Sequence, residues 1–198
     1  MAGSRLFFVR HGQTDWNVSD RFQGASDIPL NAEGRLQCVR LGQRLAAYFE
    51  GCQAGQASLS ILTSPLQRAL ESARIISREL ELNSDRLLSN LALRELSFGA
   101  WEGMTTHEVK AADPNARKAR KSDRWSFAPP DGEAPVSRIL ELRAFLDAIR
   151  PPAVIVTHTV VIRICFYILG FWGEGEALTE PISQDKIYIV SNGALAEI

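Results

Sequence analysis

Two histidines in this chain each follow a short apolar run. His11 closes LFFVRH, and His158 closes AVIVTH. Arg10 stands beside the first, and Arg68 lies in SPLQR, just after a third apolar run, SIL. Arginine forks match the oxygens of phosphate or carboxylate. A neutral imidazole can attack phosphorus and carry the phosphoryl group covalently, provided one ring nitrogen is free and the other is held as a donor. A second histidine, if protonated, can donate to the transferring oxygens. Arg10, Arg68 and His158 together could then neutralise a phosphoryl dianion without a metal, and phosphoryl transfer rests largely on such positioning and charge stabilisation. A leaving alkoxide also needs a proton. Glu95 in LRELSFGAWEG is a candidate for that acid, because a polar, glycine-bearing stretch can turn it towards a cleft. Spacing does not separate it from Glu102 or Glu133.

Each residue also has a plainer reading. Arg10-His11 can be a strand end with two polar residues, and His158 a histidine satisfied near a helix start. Arg68 can lie on the surface of an amphipathic helix. The basic run Arg117 to Arg124 in ARKARKSDRW reads first as a solvated face, with one of its residues reaching an acidic substrate group as the sharper alternative. Trp101 and Trp125 read as packing or cleft-wall residues, and His107 as an exposed helical residue with no role.

What must position these groups is an alternation of strands and helices. LFFV and AVIVT are continuous apolar runs suited to strands buried on both faces, and SLSILTS reads as another strand. The polar stretch His11 to Leu30 reads as a loop. Asn31 is a candidate N-cap for a helix reaching Phe49, with Leu36, Val39, Leu45, Ala46 and Phe49 as its apolar stripe. Ser64-Pro65 reads as an N-cap followed by proline in the first helical position, opening a helix through Arg68 to about Glu81. The spacing predicts a short helix over 104–112, then a loop or lid to 135. A helix comes next, with Val136, Ile139, Leu140, Arg143, Leu146 and Ile149 as its repeating pattern. A helix from about Val160 to Leu169 comes after His158, and KIYIV and ALAEI flank Asn192-Gly193 as a terminal hairpin. The order implies an α/β fold, a mostly parallel central sheet flanked by helices as a three-layer sandwich. It reads as one domain over 1–198 with a lid-like insertion at about 104–135. Open sheets of this kind bind ligands at the carboxyl ends of their strands, where all three motifs fall.

The chain has 198 residues, 45% hydrophobic and 23% charged, with a net charge of −1. That balance supplies no global field to recruit nucleic acid. No apolar run is long enough to cross a bilayer. The odd cysteine count, Cys38, Cys52 and Cys165 without CxxC spacing, argues against a disulfide framework or a zinc site and for free thiols in a cytoplasmic protein. The expected partner is a small phosphorylated metabolite, and the terminal hairpin offers an edge strand for a homodimer.

RHGQTDWN, RFQGASDIPLNAEGR, SPLQRALESA, LRELSFGAWEG, DGEAP and VTHTVVIR, in this order, cover nearly the whole chain. The set resembles the histidine phosphatase superfamily, in the branch that holds cofactor-dependent phosphoglycerate mutases and related phosphatases, and implies a phosphoglycerate mutase-like fold. The resemblance implies His11 as the phosphorylated nucleophile and Glu95 as the proton donor that later activates water. It implies Arg10, Arg68 and His158 as the phosphate pocket, with further contacts from Asn17, Gln23, Gly24 and the backbone N–H of Thr159. It implies no metal and no cofactor. Gln13 stands where Glu is usual, Thr159-Val160 replaces a common Gly-Gly, and Ala134 replaces a usual Ser. These departures bear on the size of the pocket rather than on the reacting groups. FGAWEG looks more like the phosphatases than the mutases, which resemble one another around YGxLxGxNK. Here Phe98 lacks the tyrosine hydroxyl and Thr106 stands in place of the lysine. The reading is a metal-independent phosphatase acting on small phosphate monoesters. The alternatives are a phosphoglycerate mutase-type transferase and a catalytically weak phospho-ligand-binding protein.

Overall fold

The computed structural model of the chain describes residues 5–52 and 58–198; the Cys52 side chain lies outside the described part. Six strands form one sheet: β1 (Arg5–Arg10), β2 (Ser60–Thr63), β3 (Leu87–Ser89), β4 (Ala153–Thr157), β5 (Ile187–Ser191) and β6 (Ala194–Glu197), in the order β3-β2-β4-β1-β5-β6. The pairs β1–β4, β4–β2 and β2–β3 are parallel, whereas β5 and β6 run antiparallel. Asn192 and Gly193 turn the final hairpin with φ of 50° and 74°, the left-handed pair that a two-residue hairpin requires.

The apolar strands are buried on both faces because helices cover both. Phe7 and Val9 of β1 join Val154 and Val156 of β4 in one core, whereas Phe8, Ala153 and Ile155 join the other. This alternation reflects the two-residue period of a strand. The first core packs under α2 (Ala32–Cys52) and α3 (Gln67–Glu79), and the second under α6 (Ile139–Ala148) and α7 (Thr159–Ile168). The result is the three-layer α/β sandwich. Each fully buried Phe of β1 contributes roughly 1.5–3 kcal/mol of transfer free energy, so β1 is a rigid mount for His11 at its carboxyl end.

Several local expectations change. The stretch after β1 includes a short helix, α1 (Asp15–Val18), capped by Thr14. Asn31 does cap α2, accepting from Gly34 N at 2.9 Å. The buried face of that helix is Gly34, Gln37, Cys38, Leu41, Gly42, Leu45 and Phe49, however, and Leu36 is 54% exposed. The face is set by small residues that permit close approach: a Cβ on Gly42 would lie 2.6 Å from the Glu79 Cβ of α3. On α6 the buried face is Leu142 and Phe145, continued by Arg138 and Ile149 at either end, and Leu140 is 80% exposed. Ser64-Pro65 does not open α3. The helix begins at Gln67, two residues later, and its N-cap residue Leu66 has no side-chain cap bond. The short helix expected over 104–112 is α4 (Thr106–Ala112), but the stretch after it is more regular than a loop: it opens with α5 (Pro114–Ser122), capped by Asp113 with Pro114 in its first turn.

Candidate active site

Strand register brings the motifs together. Arg10 of β1 pairs with Thr157 of β4, and Thr63 of β2 pairs with Val156. The next residues, His11, His158 and Ser64, therefore emerge side by side at the carboxyl ends of three adjacent strands. The His11 and His158 ring centroids are 5.1 Å apart.

His11 is 4% exposed, and its Nδ1 lies 2.7 Å from the Gly12 carbonyl oxygen. A carbonyl only accepts, so Nδ1 carries the proton and Nε2 keeps its lone pair. Burial, then Arg68 and Arg10, hold the imidazole pKa well below the ordinary histidine value, with the Gly12 bond opposing. His11 is thus neutral and oriented. Gly12 is needed for packing rather than for a left-handed turn: a Cβ there would strike the Gly34 carbonyl at the start of α2. Its N–H donates to Ser72 Oγ at 3.0 Å, and that hydroxyl donates to the Arg68 carbonyl at 2.6 Å. Ser72 thereby ties the His11 peptide to the helix turn that carries Arg68.

Arg68 is fully buried, and its fork donates to the Ser26 and Gly24 carbonyls at 2.7 Å each. Arg10 donates from Nη1 to the Ile182 carbonyl at 2.9 Å, and burial pushes its pKa down to about 10. His158 places Nε2 2.8 Å from Ser64 Oγ. Burial first, then Arg68, His11 and Arg10, hold it well below the usual value, so it is neutral before any anion arrives. A protonated His158 donor therefore requires an anion to raise it. Among the described residues, Arg10 Nε, Arg68 Nε, His158 Nδ1 and Gln23 Oε1 are buried with no hydrogen-bond partner. Unpaired buried polar atoms are costly, and their grouping in one site points to a polar ligand.

The three candidate carboxylates separate by environment. Glu102 accepts from Ala25 N and Ser26 N at 2.9 Å each and from Phe98 N at 3.0 Å, bonds that hold its pKa below the usual value against partial burial. It pins the Gln23–Ser26 loop to the Phe98 turn. Glu133 forms a two-point pair with Arg94, both bonds 2.6 Å, and is likewise lowered. Glu95 is buried, and burial raises its pKa although Arg68, Arg10 and the N–H groups of Val160 and Leu96 oppose the shift. Of the three, only Glu95 is shifted towards its protonated form, the direction a general acid needs.

Of the remaining sequence candidates, Asn17 commits its side-chain oxygen to the Thr14 cap of α1 at 3.1 Å and to Gln184 Nε2 at 3.1 Å, leaving its amide group to donate. Gly24 has φ of 54° and presents its carbonyl to Arg68. Thr159 opens α7, so its N–H has no partner inside that helix. Trp101 is buried and stacks on Phe127, Trp125 bonds to the Glu174 carbonyl, and His107 is exposed on α4.

Sequence reasoning missed several supports. Gln184 also donates to the His11 carbonyl at 3.1 Å, from a loop with no motif to mark it. Arg138, 3% exposed, donates to the Ala92 carbonyl at 2.9 Å and braces the segment that carries Glu95. Ser72, four residues after Arg68 on the same helix face, was the one with a legible signal.

The carboxyl ends of the parallel strands of this mixed α/β sheet gather two neutral histidines, two arginines and one raised carboxyl. The family model described as histidine phosphatase superfamily (branch 1) matches residues 6–191, and the chain belongs to that family. A glucosyl-3-phosphoglycerate phosphatase of Mycolicibacterium vanbaalenii is 38% identical over 133 residues, 67% of this chain and 53% of that protein. A 2,3-bisphosphoglycerate-dependent phosphoglycerate mutase of Bartonella quintana is 31% identical over 134 residues, 67% of this chain and 61% of that one. The chain thus spans between half and two thirds of the length of these relatives. Among solved structures, a mycobacterial glucosyl-3-phosphoglycerate phosphatase in complex with VO3 superposes with a TM-score of 0.77. The two are 27% identical, and the match covers 98% of this chain and 96% of that one.

Proposed function

We propose that the protein is a metal-independent phosphatase that hydrolyses small-molecule phosphate monoesters through a phosphohistidine at His11. The observation that carries this reading is the neutral, oriented His11 imidazole, its Nδ1 paired to the Gly12 carbonyl at 2.7 Å. In the first step the Nε2 lone pair attacks phosphorus while the ester P–O bond breaks. Glu95 gives its proton to the departing alkoxide, which leaves as the alcohol. In the second step the Glu95 carboxylate takes a proton from water, whose oxygen attacks phosphorus as the N–P bond breaks. Inorganic phosphate leaves, and both residues return to their starting state.

Arg10, Arg68 and His158 hold the phosphoryl oxygens. The Asn17 amide, Gln23, the Gly24 loop and the Thr159 N–H complete the cradle. Burial first, then Arg68, His11 and Arg10, depress the His158 pKa; a bound phosphate dianion offsets the arginine part, which favours proton uptake at His158. The higher identity to the named phosphatase, 38% against 31% for the mutase, supports hydrolysis. So does Phe98, where the mutases carry a tyrosine.

We place the protein in the cytoplasm, where the buried free thiols Cys38 and Cys165 fit a reducing compartment. No helix among the described residues is long and apolar enough to cross a membrane. The near-neutral surface suits a small phosphorylated metabolite better than nucleic acid. A homodimer paired through an edge strand such as β6 is part of the same reading.

A phosphate-release screen over a panel of metabolite monoesters, run with a chelator present, tests the function. We expect several esters to turn over at rates unchanged by chelation. Release that requires added divalent metal would contradict the mechanism. Conversion of 3-phosphoglycerate to 2-phosphoglycerate without release would favour the mutase alternative.

A further inference from the structure

The His158 ring is anchored through one nitrogen. Nε2 lies 2.8 Å from Ser64 Oγ, while Nδ1 is buried and, among the described residues, has no partner. Both residues are fully buried. The sheet holds the pair in place: Ser64 follows β2 and donates its backbone N–H to the Val156 carbonyl of β4 at 3.1 Å, two residues before His158. The shared proton sits on either Ser64 Oγ or His158 Nε2, and its place decides what Nδ1 presents to the pocket.

Donors and acceptors separate the two arrangements. A serine hydroxyl has one hydrogen to give and two lone pairs that accept. Among the described residues, the only other partner of Oγ is the Leu66 N–H, at 3.2 Å, which takes one lone pair. With the proton on Nε2, that N–H would take the second lone pair. The hydroxyl hydrogen would then have no acceptor and Nδ1 would be a bare lone pair, two unpaired groups in a buried place. With the hydroxyl donating to Nε2, Oγ is satisfied, and a neutral ring carries its proton on Nδ1. One unpaired group remains, and it is a donor. Unpaired buried polar groups are unfavourable, which selects the second arrangement.

An anion requires the same arrangement. Nδ1 belongs to the set of unpaired buried atoms that includes Arg10 Nε and Arg68 Nε. A lone pair turned towards a phosphoryl oxygen would repel it, whereas an N–H donates to it. Burial first, then Arg68, His11 and Arg10, keep the ring neutral, so a donor that depended on protonation would be missing when the substrate arrives. We propose that Ser64 is a positioning residue whose hydroxyl locks His158 in the Nδ1–H tautomer, making the neutral imidazole a ready donor to the phosphoryl oxygens. The two histidines then share one tautomer for opposite purposes: His11 keeps Nε2 bare for attack, and His158 keeps an N–H for the anion. Proton uptake on substrate binding strengthens a contact already made. That the anion is a phosphoryl group rests on the phosphatase reading; the tautomer itself does not.

Long-range 1H–15N correlation of the whole chain labelled with 15N-histidine reads the tautomer directly, because protonated and bare ring nitrogens resonate far apart. The chain has 3 histidines, and the variants His11→Ala, His107→Ala and His158→Ala assign their signals. In the ligand-free wild type at mildly alkaline pH we expect the His158 proton on Nδ1. Added inorganic phosphate should move that proton downfield as its bond to the anion forms. In Ser64→Ala the Nδ1–H form should lose its dominance, and the inhibition constant of inorganic phosphate should rise about tenfold, the scale of one hydrogen bond to a charged group. A general loosening of the site would weaken inhibition without moving a proton between ring nitrogens. A wild-type His158 protonated on Nε2 or on both nitrogens, which needs no Ser64 variant to fold, would overturn the role of Ser64 and leave the phosphatase standing. An unchanged tautomer in Ser64→Ala would do the same. Absence of His11-dependent phosphate release from every ester, beside the expected spectrum, would overturn the phosphatase reading and leave the tautomer in place.

Discussion

Replacing His11 by alanine should lower phosphate release by about four to six orders of magnitude, the scale seen when a covalent nucleophile is deleted. That corresponds to roughly 5–8 kcal/mol of transition-state stabilisation. His158 is held through Nε2 to Ser64 at 2.8 Å in the role of a phosphoryl-oxygen donor, and the arginines of the pocket are not nucleophiles. The variant should still fold, because the cores under β1 are built by Phe7, Phe8 and Val9 rather than by His11. Circular dichroism and thermal melting of purified His11→Ala, beside its phosphate release from the best substrate, check both halves of this expectation. Activity within tenfold of the wild type would mean that another group attacks phosphorus.

Glu95→Gln should give the second-largest effect, and its size should depend on the leaving group. For an alkyl ester, loss of the general acid is expected to cost about 10²–10⁴ in rate. An aryl ester with a good leaving group needs little protonation, so its first step should be far less affected. The second step still needs Glu95 as a base, and the variant should therefore accumulate phosphorylated protein. The pH dependence has its origin in the same residue. Burial raises the Glu95 pKa, so the required acid form persists above the usual carboxylate range and is lost as pH rises through the raised value. The wild-type kcat/KM for an alkyl ester should fall on that alkaline limb, and Glu95→Gln should lack it. On the acid side His11 must stay neutral, and its depressed pKa moves that limb below the usual histidine range. Alkyl and aryl esters losing activity equally in Glu95→Gln would argue against an acid role.

Much of this site is legible in sequence because its three anchors sit directly after continuous apolar strands. LFFV, SIL and AVIV can hardly be anything but buried strands, and parallel pairing forces His11, Ser64 and His158 onto one edge of the sheet. Helix faces were harder to read. On α2 the large apolar Leu36 points outward, while Gly34 packs on the Gln13 backbone, Cys38 enters the core and Gly42 faces α3, because close packing there favours small side chains that carry little hydropathy. Leu45 and Phe49 of the expected stripe do lie in the core, but Leu36 points out, and Leu140 on α6 misleads in the same way. Helix α5 has no apolar stripe, although its Asp113-Pro114 start was a readable cap signal. The choice among Glu95, Glu102 and Glu133 could not be made from spacing. It depends on backbone N–H groups and on Arg94, brought to Glu102 and Glu133 from distant segments while Glu95 stays buried. Ser64 illustrates the reverse case. Its sequence reads as a helix cap, yet its hydroxyl meets His158 and the helix starts without it.

The most direct test of the central claim is to trap the covalent intermediate. Glu95→Gln protein mixed with an aryl phosphate, quenched at alkaline pH where phosphohistidine survives, and digested for mass spectrometry should yield one phosphorylated peptide. The phosphate should map to His11, and the same treatment of the Glu95→Gln/His11→Ala double variant should yield none. Steady phosphate release by the wild type with no phosphopeptide trapped in the variant, or with the label on any residue other than His11, would contradict the account.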